Sequence, residues 1–257
     1  MYKITPLRYF LEFSYRGTAY HGWQRQLNAH TVQQQMEDAM SILLAKQTAL
    51  LAAGRTDTGV HAKQMYAHVD LELNAAEVKQ LKHSLNKFLP NDIAITDIHP
   101  VKTEAHARFD AISRSYAYHL VQHKQPFVHE FAYSFTTPLN MEAMNTAAKL
   151  LLSHTNFKCF SRSKTDVKTF DCKVTQANWT QSDSEWIFHI SANRFLRNMV
   201  RAIVGTLLDV GVGKLSLADF QTILESQDRT KAGSSAPAHG LFLMKVQYPN
   251  TIFETNG

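Results

Sequence analysis

The chain has 257 residues, 44% of them hydrophobic, a formal charge of +5 and a pI near 9.1. That length allows a substantial core in one large domain or two ordinary ones, and the composition excludes a disordered chain. No apolar run reaches the length of a membrane-spanning helix, and the basic balance favours a polyanionic partner over an acidic one.

Met1 to Pro6 lacks the apolar stretch of a signal peptide, so a cytoplasmic location is expected. Arg8 to Tyr15 then reads as a strand, with Tyr9, Leu11, Phe13 and Tyr15 alternating against Arg8, Glu12 and Ser14. The loop from Arg16 to Gln26 combines glycines, aromatics and donors, including Trp23, Gln24 and Arg25, a composition suited to contacting RNA. Thr31 and Gln34 form a capping-box pattern ahead of a helix striped with Val32, Met36, Met40 and Leu43. Thr48 to Ala53 reads as a short buried strand that delivers the chain into Gly54-Arg55-Thr56-Asp57-Thr58-Gly59-Val60-His61-Ala62. Glycines on both sides permit positive φ or close approach, so this loop can present Asp57 outward. Arg55, always charged, favours the ionised carboxylate, which points to a nucleophile or base.

A strand through Met65, Val69, Leu71 and Leu73 follows, then a helix capped by Asn74 and a strand from Ile93 to Ile98. The second part repeats the theme: a strand at Ala111 to Val121, a helix opening at Asn140, and strands near Lys173 to Trp179 and Glu185 to Ser191. Helices from about Phe195 and from Ser216 precede a closing strand, Leu241 to Tyr248. Gln122 to Pro138 has no period and reads as a long surface loop, and Asp228 to Gly240 as a flexible connection. The order of elements implies an α+β fold of two similar halves, residues 1–107 and 108–257.

At helical spacing, Arg194, Arg197, Asn198 and Arg201 share one face, opposite Leu196, Met199, Val200, Ile203 and Leu207. Read alone, that is a solvated face. Arg114, Tyr116 and Tyr118 share one side of a strand, ordinarily a packing pair. Cys159 and Cys172 have no CxxC spacing and suggest buried thiols. His61 and His68 are an odd number of residues apart on one strand, and there is no HExxH, so no metal site is expected.

The nonapeptide around Asp57 closely resembles the GRTDAGVHA signature of the TruA family of tRNA pseudouridine synthases, with Thr58 in the alanine position. The Arg16–Gln26 loop resembles that family's YDGT-x-Y-x-GWQRQ segment, with Arg16 where an aspartate is usual. Phe195 to Gly205, the Arg114-x-Tyr116-x-Tyr118 block, Asn156-Phe157 with Phe160-Ser161, and Ala236 to Leu241 resemble further blocks, so the likeness spans nearly the whole chain. The resemblance implies two ferredoxin- or RRM-like α/β sandwiches with mainly antiparallel sheets around a central RNA-binding cleft. It implies isomerisation of uridine in the anticodon stem-loop of tRNA by a homodimer. Asp57 would be the nucleophile, Tyr116 would stack on the base, and Arg201 would approach the carboxylate. Arg55, Gln24, Arg25, Arg194, Arg197 and Asn198 would bind substrate.

The chemistry requires an extruded uridine, cleavage of N1–C1′ and rejoining at C5. A carboxylate either attacks C1′ or removes a sugar proton, and the residues leave both routes open. No cofactor or metal is expected, since there is no net redox change. Two other readings compete. Asp57-Thr58-Gly59 also matches an aspartic-protease core, but that chemistry needs two aspartates sharing a proton, and only one such triplet occurs. A non-catalytic RNA-binding protein of RRM-like fold would gain nothing from a carboxylate placed among phosphates.

Overall fold

The computed structural model of the protein describes residues 6–162, 167–182 and 185–254. Residues 1–5, read above for a leader, lie outside them. The architecture is α+β, with five α-helices among the described residues and both parallel and antiparallel strand pairings. Two compact units divide the chain: Met1–Ile112 with Leu243–Gly257, and Ser113–Phe242.

The first unit is built on β1 (Leu7–Tyr15), which runs antiparallel to both β3 (His61–Leu71) and β4 (Ile93–Val101). Tyr9, Leu11, Phe13 and Tyr15 are buried, as alternation requires. Phe10, on the opposite face, is buried too, because the rings of Tyr66, Tyr248 and Phe253 cover it. α1 (Val32–Leu44) begins where the Thr31 hydroxyl accepts from the Gln34 amide, the threonine half of the expected box. α2 (Ala75–Phe88) carries a complete box between Asn74 and Glu77 and touches α1. The strand expected over Thr48 to Ala53 shrinks to β2 (Leu51–Ala52), and Leu51 is 55% exposed. The apolar composition there serves Leu50 and Ala53, which are buried on either side of a strand too short to alternate.

In the second unit β5 (Ser113–Val121) pairs antiparallel with β8 (Glu185–Ala192), which pairs with β7 (Val174–Ser182). α3 (Met141–Ser153) packs on β7, and its Asn145 side chain bonds both the N–H and the carbonyl of Trp179, at 2.7 and 3.2 Å. α4 (Met199–Gly211) and α5 (Leu217–Ser226) complete the layer, with Met199, Ile203, Leu207 and Phe220 in the core. The expected surface loop over Gln122 to Pro138 contains β6 (Tyr133–Ser134), parallel to β5. Two residues are too few for alternation to register, and backbone and side-chain bonds from Phe135 to Val121 and Gln122 hold them. β9 (Leu241–Gln247) carries the chain back to the first unit. No described helix is long and apolar enough to cross a membrane.

Candidate active site

In the first unit, the Asp57 loop is bonded along its length to the segment after β1. The Trp23 amide donates to the Thr56 carbonyl (3.3 Å), the Gly59 amide to the Tyr20 carbonyl (3.3 Å), and the Val60 amide closes a turn on the Asp57 carbonyl (3.1 Å). Tyr15 and Thr56 share a hydroxyl bond of 2.8 Å, and the Gly17 amide donates to His61 Nδ1 at 3.0 Å. Gly22 shows why this contact needs glycine: its φ is 80°, and a Cβ there would lie 2.3 Å from the Thr56 carbonyl oxygen. Within the loop, positive φ falls on Gly59 alone; Gly54 has ordinary φ and open space around it.

The aromatics of this segment, whose composition suited either RNA contact or packing in a glycine turn, are core residues. Trp23 is 1% exposed and packs on Phe13 with ring centroids 5.2 Å apart, and Tyr20 is buried with its hydroxyl donating to Asp92 at 2.7 Å. Burial, reinforced by that bond, pushes the Tyr20 phenol well above its usual range. The consequence is that side chains serve as anchors and backbone holds the loop. Asp57 remains partly exposed at its centre and Arg55 is exposed.

Gln24 and Arg25 are tied to α1. Gln24 donates to Gln33 Oε1 (2.8 Å), and the Arg25 guanidinium lies 3.1 Å from Glu37 and 3.5 Å from Asp38. Glu37, buried within the apolar stripe, also accepts from Gln33 and from the Leu50 amide at 2.9 Å. The network thus reaches the residues just before the Asp57 loop. Its centre, Glu37, escaped the sequence reading; the available signal was a carboxylate beside Met36 on a helix face that otherwise goes inward.

Both strand histidines act as acceptors of backbone amides. His61 accepts from Gly17, which places its ring proton on Nε2, and His68 accepts from Ala107 at 3.2 Å. Burial, with His106 adding to it, pushes the His68 pKa down to about 4. Both cysteines are buried, and burial raises Cys159 to about 12 and Cys172 to about 11, so neither is an activated thiol.

In the second unit, Tyr116 is half-buried on β5 and meets Phe195 edge-on, centroids 5.0 Å apart. Tyr118, on the same side of the strand, is completely buried and donates to the Pro237 carbonyl at 2.9 Å. Arg114 donates to the Asn193 carbonyl at 2.9 Å.

The expected basic helical face over Arg194, Arg197, Asn198 and Arg201 does not form. α4 starts at Met199, with Asn198 as its N-cap at φ 66°, so only Arg201 of the four lies on the helix. Arg194 and Arg197 belong to the lead-in, where the Met199 amide turns back to the Leu196 carbonyl and the Arg162 amide donates to the Arg197 carbonyl. Leu196 is buried at 5% exposure, and asparagine tolerates the left-handed conformation that ends this turn. Helical spacing could not reveal that tertiary bond to Arg162.

Nor is Asp228 to Gly240 a loose connection. The Ala236 amide donates to the Arg201 carbonyl (3.0 Å), and Arg201 Nε returns a bond to the Ala236 carbonyl (2.7 Å). Asn198 donates to Ser235 Oγ at 2.6 Å, and the Gly233 amide to Thr206 Oγ1 at 2.9 Å. A Cβ on Gly205 would lie 1.7 Å from the Ser234 carbonyl oxygen. Small residues that look like linker composition are here the condition for laying a strap flat on α4.

A family model described as tRNA pseudouridine synthase matches residues 13–110 and 147–249, spans that hold both the Asp57 loop and the strap on Arg201. The chain is 51% identical over 249 residues to a Porphyromonas gingivalis protein named tRNA pseudouridine synthase A, covering 96% of this chain and 99% of that one. Proteins of the same name from Bacteroides fragilis and Bacillus subtilis are 50% and 37% identical over 248 and 241 residues. Those matches cover 96% and 92% of this chain, and 98% and 97% of the relatives. Identity at that level over nearly the full length means that this chain belongs to the tRNA pseudouridine synthase family.

Proposed function

We propose that the protein isomerises uridine to pseudouridine in the anticodon stem-loop of tRNA, with Asp57 as the nucleophilic carboxylate and a homodimer as the working form. Arg201 counters the charge on that carboxylate, Tyr116 stacks on the extruded base, and Arg55, Gln24, Arg25, Arg194, Arg197 and Asn198 bind substrate. Each of the two α+β halves is read as a ferredoxin-like sandwich. The observation that carries the reading is the double fastening of the Asp57 loop, by Trp23 and Tyr15 at Thr56 and by Tyr20 at Gly59, which leaves the intervening carboxylate partly exposed. A preorganised loop of this kind suits a group that must meet C1′ without reorganising.

Turnover is read by tritium release from tRNA carrying 5-tritiated uridine, because C5 loses its hydrogen only on becoming the glycosidic carbon. Asp57→Asn is expected to abolish release while tRNA binding in a filter assay stays intact. Release at the wild-type rate by Asp57→Asn would sink the assignment.

A further inference from the structure

Besides its bonds to α4, the strap is gathered from within by the Arg229 side chain. Arg229 donates through Nη1 to the carbonyls of Ala232 (3.2 Å) and Gly233 (3.1 Å), and through Nη2 to Ser235 Oγ (3.1 Å). That hydroxyl also receives Asn198, the left-handed residue from which α4 starts. One residue further along, Ala236 grips Arg201 at both its backbone carbonyl and its Nε. A bond to Nε fixes the plane of a guanidinium and so the direction of its remaining N–H groups.

We propose that Arg229 is a positioning residue for the isomerisation: by closing the strap over residues 232–235 it sets the Ala236 carbonyl, and through it the direction in which Arg201 presents its charge. The inference rests on the reading that Arg201 serves the reaction. Its physical basis is geometric. Three acceptors spread over four residues are collected by a rigid planar fork with several donors, which an ammonium on a flexible stem does not reproduce. Without the fork, the strap's own backbone bonds to α4 remain at Gly233 and Ala236, so the unit folds but Ala236 loses its single setting.

The test is a double-mutant cycle with Arg229→Ala and Arg201→Ala, read as kcat and KM for tritium release from 5-tritiated uridine tRNA, with thermal unfolding in parallel. Arg229→Ala is expected to lower kcat by about tenfold or more with little change in KM, and to cost almost nothing further in the Arg201→Ala background. Arg229→Lys is expected to resemble Arg229→Ala, and it stands in for it in the cycle if the alanine variant does not fold. Losses that multiply across the cycle, or an unchanged kcat in both Arg229 variants, overturn the inference while leaving the role of Arg201 standing. Wild-type turnover by Arg201→Ala overturns the reading of Arg201 and the inference with it.

Discussion

The loop bearing Asp57 and the helix bearing Arg201 are each held by a neighbouring segment, but with different chemistry. The Asp57 loop is gripped by the backbone of residues 17–23, and that backbone is held in place by buried rings, Trp23 and Tyr20. The Arg201 helix is gripped by residues 229–236, whose fastenings are polar: Arg229, Asn198, Ser235 and Thr206. A buried aromatic contributes several kcal/mol, whereas a hydrogen bond contributes about 1 kcal/mol net and is expensive mainly when one partner is left unpaired. The first grip is therefore strong and inseparable from the core. The second is a sum of small bonds, and removal of any one is expected to leave its unit folded.

The sharpest way to break this contrast is at Trp23. Trp23→Ala is expected to cost about 3–5 kcal/mol in a urea melt and to cut turnover with it, because the anchor of the Thr56 contact is core. A variant of unaltered stability would show that the ring anchors nothing. Next in size is Thr206→Val, nearly isosteric, which leaves the Gly233 amide without its acceptor at a cost of about 1–3 kcal/mol. If Thr206→Val proved as damaging as Trp23→Ala, the strap would have to count as core too. Smallest is Tyr15→Phe, which keeps the packing and deletes the bond to Thr56, for about 0.5–1.5 kcal/mol. Its effect should appear in turnover more than in the melt, and a loss matching that of Trp23→Ala would place the main fastening at the hydroxyl.

Legibility followed the same divide. The Asp57 loop stands out because its residues are consecutive, and β1, α2 and α3 could be read because apolar period and caps are local signals. The roles of Tyr20 and Trp23 could not be read, since a loop aromatic bound for RNA and one bound for the core have the same composition. Glu37 was hidden for the opposite reason: a carboxylate on an apolar face becomes intelligible only once Gln33, Arg25 and the Leu50 amide converge on it.

The start of α4 illustrates the limit. Phe195 to Val200 fits a helix by spacing, yet the helix waits until Met199, because Arg197 is bonded to Arg162, some thirty-five residues earlier, and Asn198 takes φ 66°. Strand alternation, capped helices and a carboxylate between glycines are local patterns, legible residue by residue. Which segments lie against one another depends on contacts between residues far apart in the chain. The strap from Arg229 to Ala236 owes its order to α4 and to the Arg229 fork, because small polar residues have no preference of their own strong enough to select one conformation until partners supply hydrogen bonds and a close fit.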